Sequence, residues 1–392
     1  MNLKIINARI VGPDNIIESG TLITEDGKIK TITGENVETE AVYTIDAKGN
    51  YLSPGFIDIH VHGGGGHDFM DNTVEAFTKI ARSHAAHGTT SMTPTTLSCE
   101  KADLLKTLEV YKEADKVNDG AEFIGIHIEG PYFAMNQRGA QDPRYIRDPD
   151  PGEYKEILEK YPEVKRWSAA PELKGAIEFG RYLTSKGRLP AIAHTEALYE
   201  EAIEAFRNGY THVTHLYSCT SSVVRRDAYR YGGVIEAAWL LDDMTVEIIA
   251  DGRHLPPELL KLVYKLKGPD KVALITDAMR AAGMPPGESV LGSLNNGLKV
   301  IVEDNVAKLP DRSSFAGSVA TADQLVRNMV ALAEVPLVDA VRMMTQTPAA
   351  IMGVADKKGS LQKGRDADLV IFDENINILY TIIGGKIVHH AK

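Results

Sequence analysis

At 392 residues the chain is about 2.6 times the length of an ordinary domain, room for one large barrel with a small companion or for two to three ordinary domains. Hydrophobic residues at 43% and charged residues at 25% describe a globular chain with a core to bury and exclude a disordered one. The 43 Lys and Arg against 54 Asp and Glu leave a net charge of −11, which repels nucleic acid and anionic membrane surfaces, so neither is an expected partner.

The opening stretch MNLKIINARIVG alternates apolar positions around Lys4 and Arg9 and reads as a strand rather than a signal peptide. No apolar run approaches 18 residues, and the expected location is the cytoplasm. Residues 1–53 carry further short alternating runs between turns at Gly12-Pro13, Glu25-Asp26-Gly27 and Lys48-Gly49-Asn50, which predicts β structure without helices. From residue 54 one theme recurs eight times: a short β-branched segment ending in polar residues, then a helical stretch. The β segments are FIDIHVH (56–62), TTSMTPT (89–95), FIGIHIE (123–129), RWSAAPE (166–172), LPAIAHT (189–195), THVTHLY (211–217), TVEIIAD (245–251) and KVALITD (271–277). Between them, stretches such as 74–88, 197–209 and 256–268 place apolar residues three and four apart, as helices do.

Eight alternations predict an α/β chain folded as a TIM-like (β/α)8 barrel in preference to an open doubly wound sheet. Two further helical stretches, 321–334 and 337–353, lead to ADLVIFD (367–373) and ILYTIIGGKIVHH (378–390), where β character returns around a Gly384-Gly385 turn. The expected organisation is a barrel over 54–353 and a small β-sandwich built from both chain ends, 1–53 and 354–392. Cys99 and Cys219 stand 120 positions apart with no CxxC, which supports neither a disulfide framework nor a zinc ribbon and suits a reducing compartment.

Barrels of this kind carry their chemistry at the C-terminal ends of the strands. Here the first segment ends in His60 and His62, the third in Glu129, the fifth in His194, the sixth in His215 and the eighth in Asp277, with His254 just after the seventh. Histidines at i and i+2 on a strand share a face, so His60 and His62 can hold one ion together. Glu129 sits in the apolar context IHIEGP, where an unpaired carboxylate costs several kcal/mol unless a cation or strong donors compensate; it is the leading candidate for a central anionic ligand. His127 shares its strand face and suits either a supporting partner or a structural histidine. Asp277, after the apolar run VALIT, suits a group that takes a proton from an activated water and passes it on, against the plainer role of capping a turn. His84 and His87 lie three apart on a helix, but their place at its end is better explained by the helix dipole. His389 and His390 are most simply solvated.

In this order PGFIDIHVHG, IHIEGPYF, AHTEA, THLYS, DGRHL, TDAM and FAGS (315–318) resemble the amidohydrolase superfamily, and within it the N-acetylglucosamine-6-phosphate deacetylase family, over nearly the whole chain. The resemblance implies a barrel with a β-sandwich and a metal-dependent hydrolysis that removes the acetyl group of an amino-sugar phosphate to leave the free amine and acetate. It implies one or two divalent ions, zinc foremost, with iron, manganese, cobalt or nickel as alternatives. Glu129, His194 and His215 match the ligands of the family's principal metal, and His60 and His62 the pair that holds a second ion in some members. Asp277 matches the catalytic aspartate and His254 a histidine that contacts the sugar phosphate. Ala140, Gln141, Phe315, Ala316 and Gly317 match substrate-facing positions. Arg226, eleven residues after His215, matches an arginine that reaches the phosphate from a neighbouring subunit, which implies a homodimer.

The chain also departs from the family pattern. Ser218, Cys219 and Thr220 replace the usual Asn-Ala-Met, with Ser218 and Cys219 still expected to face substrate. The stretch 224–231, VRRDAYRY, is not the usual Arg-Glu-Pro-Gly turn, and makes Arg225 a rival to Arg226. Gln141 stands where many relatives have histidine. These changes bear on sugar and phosphate recognition, leaving N-acetylgalactosamine-6-phosphate or another N-acyl compound as alternative substrates. From a different class, a catalytically inactive scaffold of the same fold is disfavoured by the presence of all five ligands with Asp277.

Overall fold

The computed structural model describes residues 2–34 and 43–391; the outer limits of the expected sandwich, residues 1 and 392, and the stretch 35–42 lie outside the described residues. Each of the eight β segments coincides at least in part with a parallel strand, the fourth of which starts two residues ahead of its segment: Phe56–Val61, Thr89–Pro94, Ile126–Glu129, Val164–Ala169, Leu189–Ile192, His212–Val213, Thr245–Ile248 and Val272–Leu274. The first two pair with each other, and the last six pair successively in chain order. Isolated parallel bridges join Thr95 to His127 and Val61 to Ala278. The architecture is thus α/β, with parallel strands in two runs and a separate mixed sheet.

Helices follow the strands for reasons visible in the residues. Val74–Ala85 starts at Thr73, whose hydroxyl accepts from the Ala76 N–H, and buries Phe77, Ile80 and Ala81 along one face. Pro151–Lys160 combines an Asp150 cap with proline at its first position. The outer apolar layer is continuous, with fully buried Trp167 stacked on Tyr132 at 5.5 Å.

The inner faces hold a polar layer. His127 Nε2 lies 2.7 Å from Ser168 Oγ, Ser168 Oγ 3.0 Å from Thr214 Oγ1, and Arg166 Nη2 donates to Thr214 at 2.6 Å and to Glu247 at 2.8 Å. Side chains from the third, fourth, sixth and seventh strands therefore meet in one buried network directly beneath the strand ends.

The chain ends share an eight-stranded mixed sheet in the order Lys386–His390, Ile378–Ile383, Leu369–Phe372, Tyr51–Pro54, Leu3–Val11, Ile16–Glu25, Lys28–Thr33, with Tyr43–Asp46 pairing beside Leu3–Val11. Alternate residues Leu3, Ile5, Leu52, Leu369 and Ile371 form its core.

Several local readings need correction. The segment 123–129 is broken into Glu122–Phe123 and Ile126–Glu129, with Gly125 at φ 125° between them. The stretch 337–353 is two helices, Leu337–Met343 and Gln346–Ile351. His390 is exposed, as a solvated residue should be, with its ring stacked on Tyr380 at 4.1 Å. Two elements had no counterpart in the sequence reading: an exposed hairpin of Val224–Arg226 and Tyr229–Tyr231, and a four-stranded antiparallel sheet of Gly287–Leu291, Leu298–Glu303, Val306–Lys308 and Phe315–Ser318. Among the described residues no helix is long and apolar enough to cross a membrane.

The mixed sheet is tied to the parallel strands through one buried cation. Lys358 Nζ lies 2.7 Å from Asp368, beside the strand Leu369–Phe372, and 2.6 Å from Glu122, ahead of the third parallel strand. Replacing it (Lys358→Ala) strands buried Asp368 without its partner and is expected to lower stability on the order of 3 kcal/mol, read as a lower urea midpoint at unchanged m-value.

Candidate metal centre

The strand ends bring six of the expected residues together around one carboxylate. Glu129, the last residue of its strand and 2% exposed, presents Oε1 to His215 Nε2 at 2.9 Å, His194 Nε2 at 3.3 Å and His60 Nε2 at 3.5 Å. Its Oε2 lies 3.4 Å from His62 Nε2. Asp277 Oδ1 is 3.1 Å from His62 Nε2 and 3.5 Å from His60 Nε2. Two sets of ligand-capable atoms result, His60–His62–Glu129 and Glu129–His194–His215, sharing Glu129.

Hydrogen bonding at the far side of the rings decides which nitrogen faces the centre. Nδ1 meets a backbone carbonyl in three of the four: Gln137 O for His194 at 2.8 Å, Ser218 O for His215 at 3.0 Å and Thr95 O for His62 at 3.3 Å. A carbonyl can only accept, so Nδ1 carries the proton and, in the neutral ring, Nε2 turns a lone pair toward Glu129. Lone pairs converging on a carboxylate repel it unless positive charge lies between them. The imidazoles show the same demand: burial opposes charging His62, yet hydrogen bonds that it donates to the Asp277 and Glu129 carboxylates push it up to about 10. Burial alone would raise Glu129 and Asp277, but the surrounding imidazoles, His60 foremost, hold both below the usual carboxylate range. Protons meet that demand in part; a divalent cation meets it with the rings neutral, and a nitrogen–oxygen donor set of this kind fits one.

Three of these residues sit in a backbone conformation that sequence patterning does not reveal. His194, His215 and Asp277 have φ of 47°, 30° and 47°, left-handed values that cost an L-residue about 1–2 kcal/mol each. Tertiary hydrogen bonds hold two of them there, Asp277 N–H donating to His60 O at 3.0 Å and His194 O accepting from Ala134 N–H at 2.9 Å, while His215 O accepts locally from Ser218 N–H at 2.9 Å.

The centre opens into a cavity of about 850 Å³ lined also by Ala140, Gln141, Ser218, Cys219, His254, Phe315 and Gly317. His254 Nδ1 lies 2.7 Å from Asp251 Oδ2, and its ring packs against Phe315 with centroids 4.6 Å apart and planes tilted by 50°. Gln141 lines this cavity and also makes contacts the sequence did not suggest: Nε2 donates to Glu129 Oε2 at 2.7 Å while Oε1 accepts from Ser98 N–H at 2.8 Å, which orients the carboxylate. A neighbouring cavity of about 750 Å³ shares Leu97, Ala140, Gln141 and Leu291 with the first but holds none of the histidines.

Two expected residues do not reach the cavity. Ala316 is fully buried, its methyl in the core of the four-stranded antiparallel sheet with Met279 and Val300, because alternation along Phe315–Ser318 turns it away from its neighbours. Arg226, with Arg225 and Arg230, lies on the exposed hairpin and does not line the cavity of its own chain. His84 binds Gly63 O at 2.9 Å and His87 faces Asp323 at 3.2 Å, both outside the centre. Arg166 and Glu247 are not among the expected residues, although both are charged residues inside otherwise apolar strand segments.

Comparison with known proteins agrees with this geometry. The amidohydrolase family profile matches residues 51–388. N-acetylglucosamine-6-phosphate deacetylase of Lysinibacillus sphaericus is 33% identical over 99% of this chain and 98% of its own length. N-acetylgalactosamine-6-phosphate deacetylase of Escherichia coli O157:H7 is 29% identical over 95% and 99%. A variant of the Mycobacterium smegmatis N-acetyl-D-glucosamine-6-phosphate deacetylase, solved in complex with N-acetyl-D-glucosamine-6-phosphate, superposes with a TM-score of 0.90 at 30% identity over 99% of both chains.

Two outcomes test the centre. Because His62 is raised to about 10 and holds its proton at neutral pH, zinc binding to the metal-free protein at pH 7 should release protons, read by calorimetry in buffers of different ionisation enthalpy. Gln141→Leu, which frees Glu129 Oε2, should weaken zinc retention about 10–100-fold, measured by competition with a chromophoric chelator.

Proposed function

The chain belongs to the amidohydrolase family, among its N-acetylglucosamine-6-phosphate deacetylases, and on that premise we propose that the centre around Glu129 hydrolyses the acetamide of N-acetylglucosamine-6-phosphate to glucosamine-6-phosphate and acetate. The observation that carries this reading is the meeting of Glu129, His194 and His215 at a cavity wall that also carries Asp277.

Glu129, His194 and His215 would hold the principal ion, zinc by the preference of its mixed imidazole and carboxylate donors, with His60 and His62 completing a second position on Glu129. When bound, a divalent cation lowers the pKa of water toward neutrality and polarises the acyl carbonyl. Asp277 Oδ1 takes the proton of the attacking water and returns it to the departing amine nitrogen, so that the C–N bond breaks to a neutral amine. His254, braced by Asp251 and Phe315, offers Nε2 to a sugar hydroxyl. Gln141 keeps Glu129 oriented while Gly317, Ser218 and Cys219 shape the wall beside the acetamide. Within this family reading, Arg226 on the exposed hairpin serves the phosphate of a neighbouring subunit's substrate, which makes the working unit a homodimer; its guanidinium suits two parallel donors to phosphate. Ala316 contributes only backbone.

The frame for this chemistry is a closed (β/α)8 barrel over 54–353, with the mixed sheet as a β-sandwich formed by 1–53 and 354–392. The bridges Thr95–His127 and Val61–Ala278 and the polar layer shared by separate strands support closure. Two free thiols suit the reducing cytoplasm.

An acetate-release assay on both hexosamine 6-phosphate epimers and their unphosphorylated forms tests the reading. Turnover of N-acetylglucosamine-6-phosphate should exceed that of the galactosamine epimer and of either sugar without phosphate. Asp277→Asn should lower kcat by about 10²–10⁴, roughly 3–5 kcal/mol, and Arg226→Ala should raise KM for the phosphorylated substrate alone. Unchanged kcat in Asp277→Asn overturns the proton-transfer role.

A further inference from the structure

One of the four imidazoles around Glu129 is oriented differently from the rest. His62, His194 and His215 each set Nδ1 against a backbone carbonyl. His60 does not: its Nδ1 is fully buried and lacks a hydrogen bond of ordinary length, and it points at a side chain from the far side of the fold, the Glu247 carboxylate, whose Oε2 lies 3.5 Å away. Glu247 sits on the strand Thr245–Ile248 with no exposure, and it does not line the cavity.

Glu247 is itself held from two sides. Arg166 grips both oxygens, Nη2 to Oε2 at 2.8 Å and Nη1 to Oε1, while Nη2 also binds Thr214 Oγ1 at 2.6 Å and Nη1 Ile59 O at 3.3 Å. His212 Nε2 stands 3.3 Å from Glu247 Oε1. Arg166 supplies a permanent positive charge, so the carboxylate stays anionic in a fully buried site. An anionic oxygen facing Nδ1 favours the tautomer with the proton on that nitrogen and repels the one with a lone pair there. His60 is thereby left with its Nε2 lone pair directed at Glu129 and Asp277.

We propose that Glu247 is a positioning residue for the metal centre: clamped by Arg166, it fixes the tautomer and ring orientation of His60 from beneath, where the other three histidines use backbone carbonyls. The proposal rests on the reading of the centre as metal-binding for its consequence, but the tautomer of His60 can be observed without metal. A buried Arg–Glu pair that served stability alone would leave the imidazole indifferent to which oxygen faces it.

The test uses the full-length protein labelled with ¹⁵N at histidine, free of metal and then titrated with zinc alone, and two variants. Glu247→Asp keeps the charge beside Arg166 while withdrawing it from His60 by one methylene. The double change Glu247→Leu with Arg166→Met removes the pair together, the substitution that buried ion pairs tolerate best. In the parent, long-range ¹H–¹⁵N spectra should show His60 protonated at Nδ1. In each folded variant the His60 resonances should move toward the Nε2-protonated form or a mixture, with those of His194 and His215 unmoved, and zinc affinity should fall about 10–100-fold. Unchanged His60 nitrogen shifts in either folded variant overturn the proposal, as does a parent whose His60 is protonated at Nε2 alone. A parent that binds no zinc defeats the metal-centre reading instead, and the His60 spectra still decide this inference.

Discussion

The buried negative charge of Glu129, ringed by four imidazole nitrogens and the Gln141 amide, is the constraint from which the rest of the site follows. A carboxylate in this position is tolerated only if positive charge is supplied at the point where the Nε2 atoms converge. Each ring is fixed so that it cannot relieve the conflict by turning over, because carbonyl oxygens of Gln137, Ser218 and Thr95 occupy the far sides of three of them. Gln141 removes the remaining freedom of the carboxylate itself. The donor set is therefore held in place by the protein's own hydrogen bonds, and its mixed imidazole and carboxylate donors fit a divalent cation.

That preparation has a conformational cost, and it is met by the scaffold. Left-handed backbone at His194, His215 and Asp277 turns the side chains inward at the ends of their strands, where a regular strand would send alternate residues away from the centre. Backbone hydrogen bonds to His60, Ala134 and Ser218 hold these positions, and the polar layer of Arg166, Ser168, Thr214 and Glu247 joins the inner faces below. The four-stranded antiparallel sheet after the eighth parallel strand completes the wall from above, bringing Phe315 onto His254 and Gly317 into the cavity. Gly317 is required there by its φ of 69° and by the Asp277 carbonyl, which lies 3.0 Å from where a Cβ would stand.

Family membership and the donor geometry support the same chemistry from independent directions. The ligand positions are legible as strand-end residues because side-chain alternation is local: His60 and His62 share a face whatever the rest of the chain does. Gln141 shows the limit of this reasoning. It lines the cavity as its position suggests, but its amide also binds Glu129 and Ser98, and nothing within a few residues of it in the chain could reveal partners 12 and 43 positions away. The exposed hairpin with Arg225, Arg226 and Arg230 was legible only as a run of basic residues, since the turn that separates them from the cavity of their own chain is set by pairing between Val224–Arg226 and Tyr229–Tyr231.

By itself the amino-acid sequence determined the alternation of strands and helices, the return of β character at both ends, and which residue types reach the strand ends, because hydrophobic period and side-chain alternation are properties of a few neighbouring residues. Tertiary structure alone decided which nitrogen of each histidine faces Glu129, which residues adopt left-handed backbone, that Ala316 packs away from the cavity, and that Arg166 and Glu247 meet beneath the centre. Those outcomes depend on hydrogen bonds and contacts between segments tens to hundreds of residues apart, and such pairings have no local period to read.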